Sequence, residues 1–192
     1  MKYKTTIIRS AVIISIAAAA VMIGFAYQAI WHRIDLKNYP RDFSEYVEKY
    51  SDEYGVSENV IYAVIKYKSN FSSNAVGDDG GIGLMGIKPD DFNWLLSITK
   101  EDLAKGILYD PETNIRYGTY MISYLYNNYG KWAPVYASIV SDRQTVENWI
   151  SDESKLDENG YLAKIPDEKI SSRVDDLSDN AEKYKELYYD EE

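Results

Sequence analysis

Residues 60–71 read VIYAVIKYKSNF, and their spacing decides what kind of fold the chain can build. Val60, Ile61, Val64, Tyr67 and Phe71 recur three and four residues apart, which predicts a helix with one apolar face. Lys68 falls four residues after Val64 and three before Phe71, so it points the same way. A lysine completing an apolar stripe is the anomaly that the rest of the sequence has to explain.

Working outward, helical patterns dominate and little reads as strand. Phe43, Tyr46, Val47, Tyr50 and Tyr54 form a stripe that Gly55 stops, and Ser57 is placed to cap the helix that follows. A glycine-rich loop, AVGDDGGIGLMGIKP (75–89), comes next and is too flexible to be helix throughout. DPETNIRYGTYMISYLYNNYG (110–130) carries the strongest helix signal: Asp110 as cap, Pro111 in the first turn and Gly130 as terminator. Its stripe of Ile115, Gly118, Met121, Ile122 and Leu125 includes a glycine where another helix is expected to pack closely. Shorter helices are expected around Trp132–Val140 and Thr145–Ile150. The tail from Lys169 repeats Val174, Leu177, Ala181, Tyr184, Leu187 and Tyr188 at helical spacing in an acidic setting. The fold class expected is all-α.

Composition excludes several chemistries. The 192 residues hold no cysteine and one histidine, His32, so disulfides, thiol catalysis and thiolate metal sites are ruled out, and neither metal nor cofactor is expected. A formal net charge of −10 argues against nucleic acid, which would call for a basic stripe.

The N-terminus is different in kind. Lys2, Lys4 and Arg9 precede an apolar run from Ala11 to about Tyr27. A membrane helix needs about 20 residues, and basic residues before it favour a cytoplasmic start. The expected division is a cytoplasmic N-terminus (1–9), a single transmembrane anchor (10–31), a polar stalk (32–40) and one extracytoplasmic helical domain (41–192). The alternative is a cleaved signal peptide, with a poor cleavage site near Gly24-Phe25-Ala26, which would leave the domain secreted.

The order of these segments resembles a known family. Residues 43–95, from FSEYVEKYSDEYGVSENVIYAVIKYKSNF through the glycine-rich loop to DDFNWL, are similar to the catalytic domain of soluble lytic transglycosylases, which has a goose-type-lysozyme fold. So is LYDPETNIRYGTYMISYLYNNYGKWAPVYAS (108–138), and more weakly LAKIPDEKISSRV (162–174). The resemblance implies a peptidoglycan-directed domain. Members cleave glycan strands between N-acetylmuramic acid and N-acetylglucosamine without water, closing an anhydro ring. One glutamate acts as acid and then base, in a Glu-Ser pair at the end of the helix quoted above.

That placement suits the chemistry. A general acid must hold its proton near neutral pH, above the ordinary glutamate value of about 4.3. Partial burial and the negative end of a helix both raise it. In this chain the glutamate's position is Lys68, followed by the expected Ser69. A protonated lysine cannot be the base, and it offers no acceptor.

Other landmarks shift with it. The family's usual Gly-Leu-Met-Gln-Ile reads Gly83-Leu84-Met85-Gly86-Ile87, and a serine common earlier in the loop is Gly77. The cleft-lining Ala-Tyr-Asn-Ala-Gly aligns with Ser138-Ile139-Val140-Ser141-Asp142, and the Glu-Thr after Ile-Pro aligns with Lys169-Ile170. Scaffold landmarks are kept and cleft landmarks are altered, the pattern of a catalytically retired domain that binds glycan strands weakly or docks envelope proteins. Two readings compete with it: an active transglycosylase using Asp78 or Asp79 as a substitute acid, and an interaction domain that has lost sugar binding.

The candidate cleft is therefore Lys68, Ser69, Gly77, Asp78, Asp79, Met85, Gly86, Tyr117, Tyr136, Val140 and Asp142, with Tyr67 a further tyrosine to test for ligand contact. Complementary charge at two altered positions predicts a Lys68–Asp142 salt bridge; the alternative is that Lys68 reaches solvent along its own stem. Ser97-Ile98-Thr99-Lys100 and Ser178-Asp179-Asn180 match motifs of penicillin-recognising enzymes, but no Lys-Thr-Gly accompanies them in the exported region and the setting is helical.

Overall fold

The computed structural model describes residues 2–190, and the side chains of these apart from residues 2–14, 16 and 17. The chain divides into two compact units, Met1–Pro40 and Arg41–Glu192.

The first unit is one helix, α1 (Lys2–Asn38). Helix runs through His32–Asn38, within the polar segment expected as a stalk. Among the described residues no helix is long and apolar enough to cross a membrane. Within the expected span over 10–31, the side chains of residues 10–14, 16 and 17 lie outside the described residues.

The second unit is helical, with only isolated β-bridges and no strand among the described residues. Its helices are α2 (Ser44–Tyr54), α3 (Glu58–Ser69), α4 (Pro89–Thr99), α5 (Pro111–Tyr129), α6 (Trp132–Val140), α7 (Arg143–Ile150) and α8 (Glu168–Tyr188), with 3₁₀ turns at Lys105–Tyr109 and Glu153–Lys155. Helix α3 is the centre. Every residue from Val60 to Ile65 is buried, because α3 packs against both α2 and α8. Covering each of its large aliphatic side chains contributes about 1.5–3 kcal/mol before entropy is charged against it. Tyr62 and Tyr184 stack at 5.4 Å and carry the α3–α8 contact.

The helix ends follow local chemistry. Asp110 accepts from Thr113 N–H, Asp142 from Thr145 N–H and Asp167 from Lys169 and Ile170 N–H. Each satisfies donors that a helix start leaves free. Ser57 does sit at the N-cap of α3, but its hydroxyl makes no capping bond. Helix α4 is an element the periodicity did not announce. Pro89 and the acidic pair Asp90-Asp91 open it, and only Phe92 and Leu95 are buried.

Gly118 meets a side chain rather than a helix. A β-carbon there would stand 2.3 Å from Met85 Sδ, so the glycine in α5 receives the loop 75–88, not a neighbouring helix.

The two ends of the second unit are clasped together. The Arg41 guanidinium lies over the rings of Tyr62, Tyr188 and Tyr189, at 5.9, 5.0 and 5.6 Å. It also pairs with Glu58 at 3.8 Å, and Tyr189 Oη donates to the same carboxylate at 2.8 Å.

Candidate functional site

The site grows from the C-terminal end of α3, where a left-handed Asn70 stops the helix and leaves Tyr67 and Lys68 on its last turn. The glycine-rich loop folds over that end. Asn114, fully buried on α5, holds it there: its Oδ1 accepts from Met85 N–H at 2.7 Å, and its Nδ2 donates to Ile82 and Leu108 carbonyls at 2.9 and 2.8 Å. Ile82 and Ile87 exchange both backbone hydrogen bonds, closing the tight turn that contains Gly83 and Gly86. Gly83 (φ +77°) can be nothing larger, since a β-carbon would stand 2.3 Å from Asn114 Nδ2.

This arrangement opens a cavity of about 420 Å³. Of the sequence-derived candidates, Lys68, Gly77, Asp78, Asp79 and Gly86 line it from the α3 side, and Val140 and Asp142 from the α6–α7 junction. Tyr67 lines it too. Ser69 does not; its hydroxyl turns back to donate to Ile65 O at 3.0 Å. Met85 is buried beneath the loop against Gly118. Tyr117 is a core residue packed edge-on to Phe92. Tyr136 stacks on Trp132 and borders a separate cavity of about 280 Å³ near α8, where burial and then Glu182 push its phenol up to about 12.

Lys68 does not pair with Asp142. Its Nζ donates to Asp79 Oδ2 at 2.8 Å and to Ile139 O at 3.4 Å, and its side chain is only 10% exposed. Both oxygens of Asp142 are occupied by Thr145, at 2.7 Å from the amide and 2.8 Å from the hydroxyl, because Asp142 is the N-cap of α7. The alternative of a solvent-seeking Lys68 also fails, since the ammonium is held inside the groove.

Asp79 is shared between two lysines. Lys88 Nζ lies 3.6 Å from the same Oδ2, while Gly81 N–H donates to Oδ1 at 3.1 Å. Burial by itself would raise this carboxyl, but the Lys68 hydrogen bond and charge, the Gly81 amide and the Lys88 charge outweigh it and hold Asp79 below its ordinary range. Asp79 is thus an ionised counter-ion.

A second pattern emerged only in three dimensions. Lys68 donates to Ile139 O, Arg173 to Val140 O at 3.0 Å and Lys88 to Ser141 O at 2.5 Å. Three cations from α3, α8 and the end of the glycine-rich loop therefore surround the C-terminal carbonyls of α6, where the helix dipole is negative. Arg173, Gly81 and Ser141 complete the cavity wall and were not among the candidates. The signal for Arg173 was present, in the weakly similar segment 162–174, yet nothing local said which way it faces.

A second cavity of about 440 Å³ adjoins the first, lined by Lys88, Asp90, Asp91, Arg143 and Gln144, and shares Asp79 and Asp142 with it. Burial raises the Asp91 carboxyl above its ordinary range even though Arg143 Nε, 3.6 Å away, opposes the shift. Among the described residues no group of three or more acidic or histidine side chains is placed to hold a metal.

An all-helical unit with this groove is a lysozyme-like domain of the lytic transglycosylase type. The 70 kDa soluble lytic transglycosylase Slt70 of Escherichia coli has the same fold, with a TM-score of 0.69 at 19% identity over 81% of this chain and 26% of that one. An inactive mutant of Slt from Pseudomonas aeruginosa gives 0.65 at 21% identity, over 77% and 24%. Residues 45–162 match the Transglycosylase SLT domain, and the chain belongs to that family. Among curated relatives, membrane-bound lytic murein transglycosylase C of Serratia proteamaculans is 35% identical over 88 residues, which is 43% of this chain and 24% of that protein. Membrane-bound lytic murein transglycosylase E of Buchnera aphidicola is 31% identical over 93 residues, 47% and 42% respectively. The chain thus spans about a quarter of the Serratia relative.

Proposed function

We propose that this chain is a membrane-attached SLT domain outside the cytoplasmic membrane that holds peptidoglycan glycan strands, and through them an envelope assembly, without cleaving them. One observation carries the reading: Lys68, at the position where the family resemblance puts the catalytic glutamate, is tied to Asp79 and to the end of α6. An ammonium engaged in this way cannot act as the acid and then the base of the transglycosylase reaction. The substitute acids fit poorly. Asp79 is held ionised between two lysines, and Asp78 is an exposed loop residue. Attachment to the membrane is supported by the apolar run from Ala11 to Tyr27 and by the names of the membrane-bound relatives. Glycan recognition is supported by the family and by the solved complex of the soluble lytic transglycosylase with bulgecin A.

The deciding experiment incubates the purified full chain with peptidoglycan and searches for anhydromuropeptides by mass spectrometry. None are expected. Their release by the wild-type protein, abolished by Asp78→Asn or Asp79→Asn, would overturn the reading. A glycan-binding titration then separates a sugar-holding domain from one that only docks proteins.

A further inference from the structure

Asp79 stands where two cavities meet. The spaces of about 420 and 440 Å³ lie side by side and have only Asp79 and Asp142 in common. Asp142 is engaged on its side of the boundary, where Thr145 bonds both of its oxygens. On the other side Asp79 belongs to the loop, and two lysines extend from it across to the end of α6. One bridge runs from Asp79 through Lys68 Nζ to Ile139 O, the other from Asp79 through Lys88 Nζ to Ser141 O. Side by side, they cross the groove between the glycine-rich loop and α6.

We infer that the Lys68–Asp79–Lys88 cluster is a removable partition across the groove, so that the resting domain admits a short saccharide or a strand end and excludes a glycan strand running through. The inference rests on the proposed reading of the groove as a glycan site. Removal requires little rearrangement of the scaffold. The Asp79 side chain is 34% exposed, so its ion pairs face competition from solvent and from ligand hydroxyls. The loop on which it rides is short and glycine-rich, with Gly80 at φ +80° and Gly77 and Gly81 on either side joined by a single backbone bond. The parts that hold the groove open, Asn114 under the loop and Asp142 at the head of α7, do not participate in the cluster.

The test uses the full chain in detergent and two variants, one that cuts both bridges at Asp79 and one that cuts the Lys68 bridge alone. Asp79→Asn removes the charge that both lysines share, and Lys68→Met removes one ammonium while keeping the stem that packs on Gly86. The probes are the dimer and the hexamer of N-acetylglucosamine, titrated by calorimetry. The hexamer is expected to bind about fivefold tighter or better to both variants, with the dimer unchanged. Equal changes for the two lengths, or no change for either, would overturn the partition. Should no form bind either sugar, the glycan reading itself fails and the partition is judged by amide exchange over residues 76–82. Exchange faster by about tenfold in both variants would support it, and unchanged exchange would overturn it.

Discussion

Lys68 occupies the space that a side chain at residue 86 would need: a β-carbon on Gly86 would stand 2.4 Å from Lys68 Cε and 3.1 Å from Lys68 Cβ. The two positions at which the family resemblance leads one to expect a glutamate and a glutamine are thus in direct contact in this chain. The Lys68 stem fills the room that a side chain at residue 86 would take.

Coupled stability follows from this contact. Gly86→Gln alone is expected to cost about 1–3 kcal/mol, through overpacking against Lys68 and through the positive φ of +58° at that position. Lys68→Glu alone leaves a gap over Gly86 and sets a second carboxylate beside Asp79. In the double variant the two costs should fail to add by about 0.5 kcal/mol or more, as measured by urea denaturation of all four proteins. Strict additivity would show that the two positions do not communicate.

Asp79 gives the domain an acid-sensitive element. Its carboxyl lies lower in the folded protein than in the unfolded chain, where about 3.9 is ordinary. The folded state therefore binds fewer protons, and the stabilisation is fully present above the unfolded value and is lost as pH falls through the folded one. Thermal melts of wild type and Asp79→Asn should differ most near neutral pH and converge below about pH 4. A gap that stays constant with pH would mean the ion cluster contributes nothing.

Asn114 supports the loop from below. Replacing it with leucine removes three hydrogen bonds at once and leaves Met85 N–H and the Ile82 and Leu108 carbonyls facing an apolar group. A loss of about 2–4 kcal/mol is expected in chemical unfolding, with faster amide exchange at Met85. Preserved exchange at Met85 would show that the loop holds itself.

Arg41→Ala should loosen the end of α8 while the groove keeps its form. Each cation–π contact at such a partly exposed site is worth about 0.5–1 kcal/mol. The expected readout is earlier proteolytic trimming beyond Tyr184 with loop exchange at 76–82 unaltered. Trimming at the wild-type rate would contradict the clasp.

How much of this was legible beforehand varied with range in sequence. Helix α5 could be drawn from Asp110-Pro111 to Gly130 because both end signals and the stripe between them are local. Lys68 stood out for the same reason. Its partner did not, because the choice between Asp79 and Asp142 depended on a loop folding back over α3. Asp142 could have been set aside from its own neighbourhood, since a threonine three residues later marks a capping aspartate. Asn114 looked like an ordinary polar residue on a helix, and its role exists only once Met85 is seated on Gly118. The three cations at the end of α6 come from distant segments, and helical periodicity does not report on such convergence.

The Arg41 clasp has a mechanical consequence. Arg41 begins the second unit and is pinned to Glu58, at the first turn of α3, and to Tyr188 and Tyr189 near the end of α8. Lys68 is ten residues further along the same helix, about 15 Å away at 1.5 Å per residue. Tension applied at residue 41 would therefore be borne first by the contacts of one guanidinium with α3 and with the end of α8, the two helices that pack against each other through Tyr62 and Tyr184.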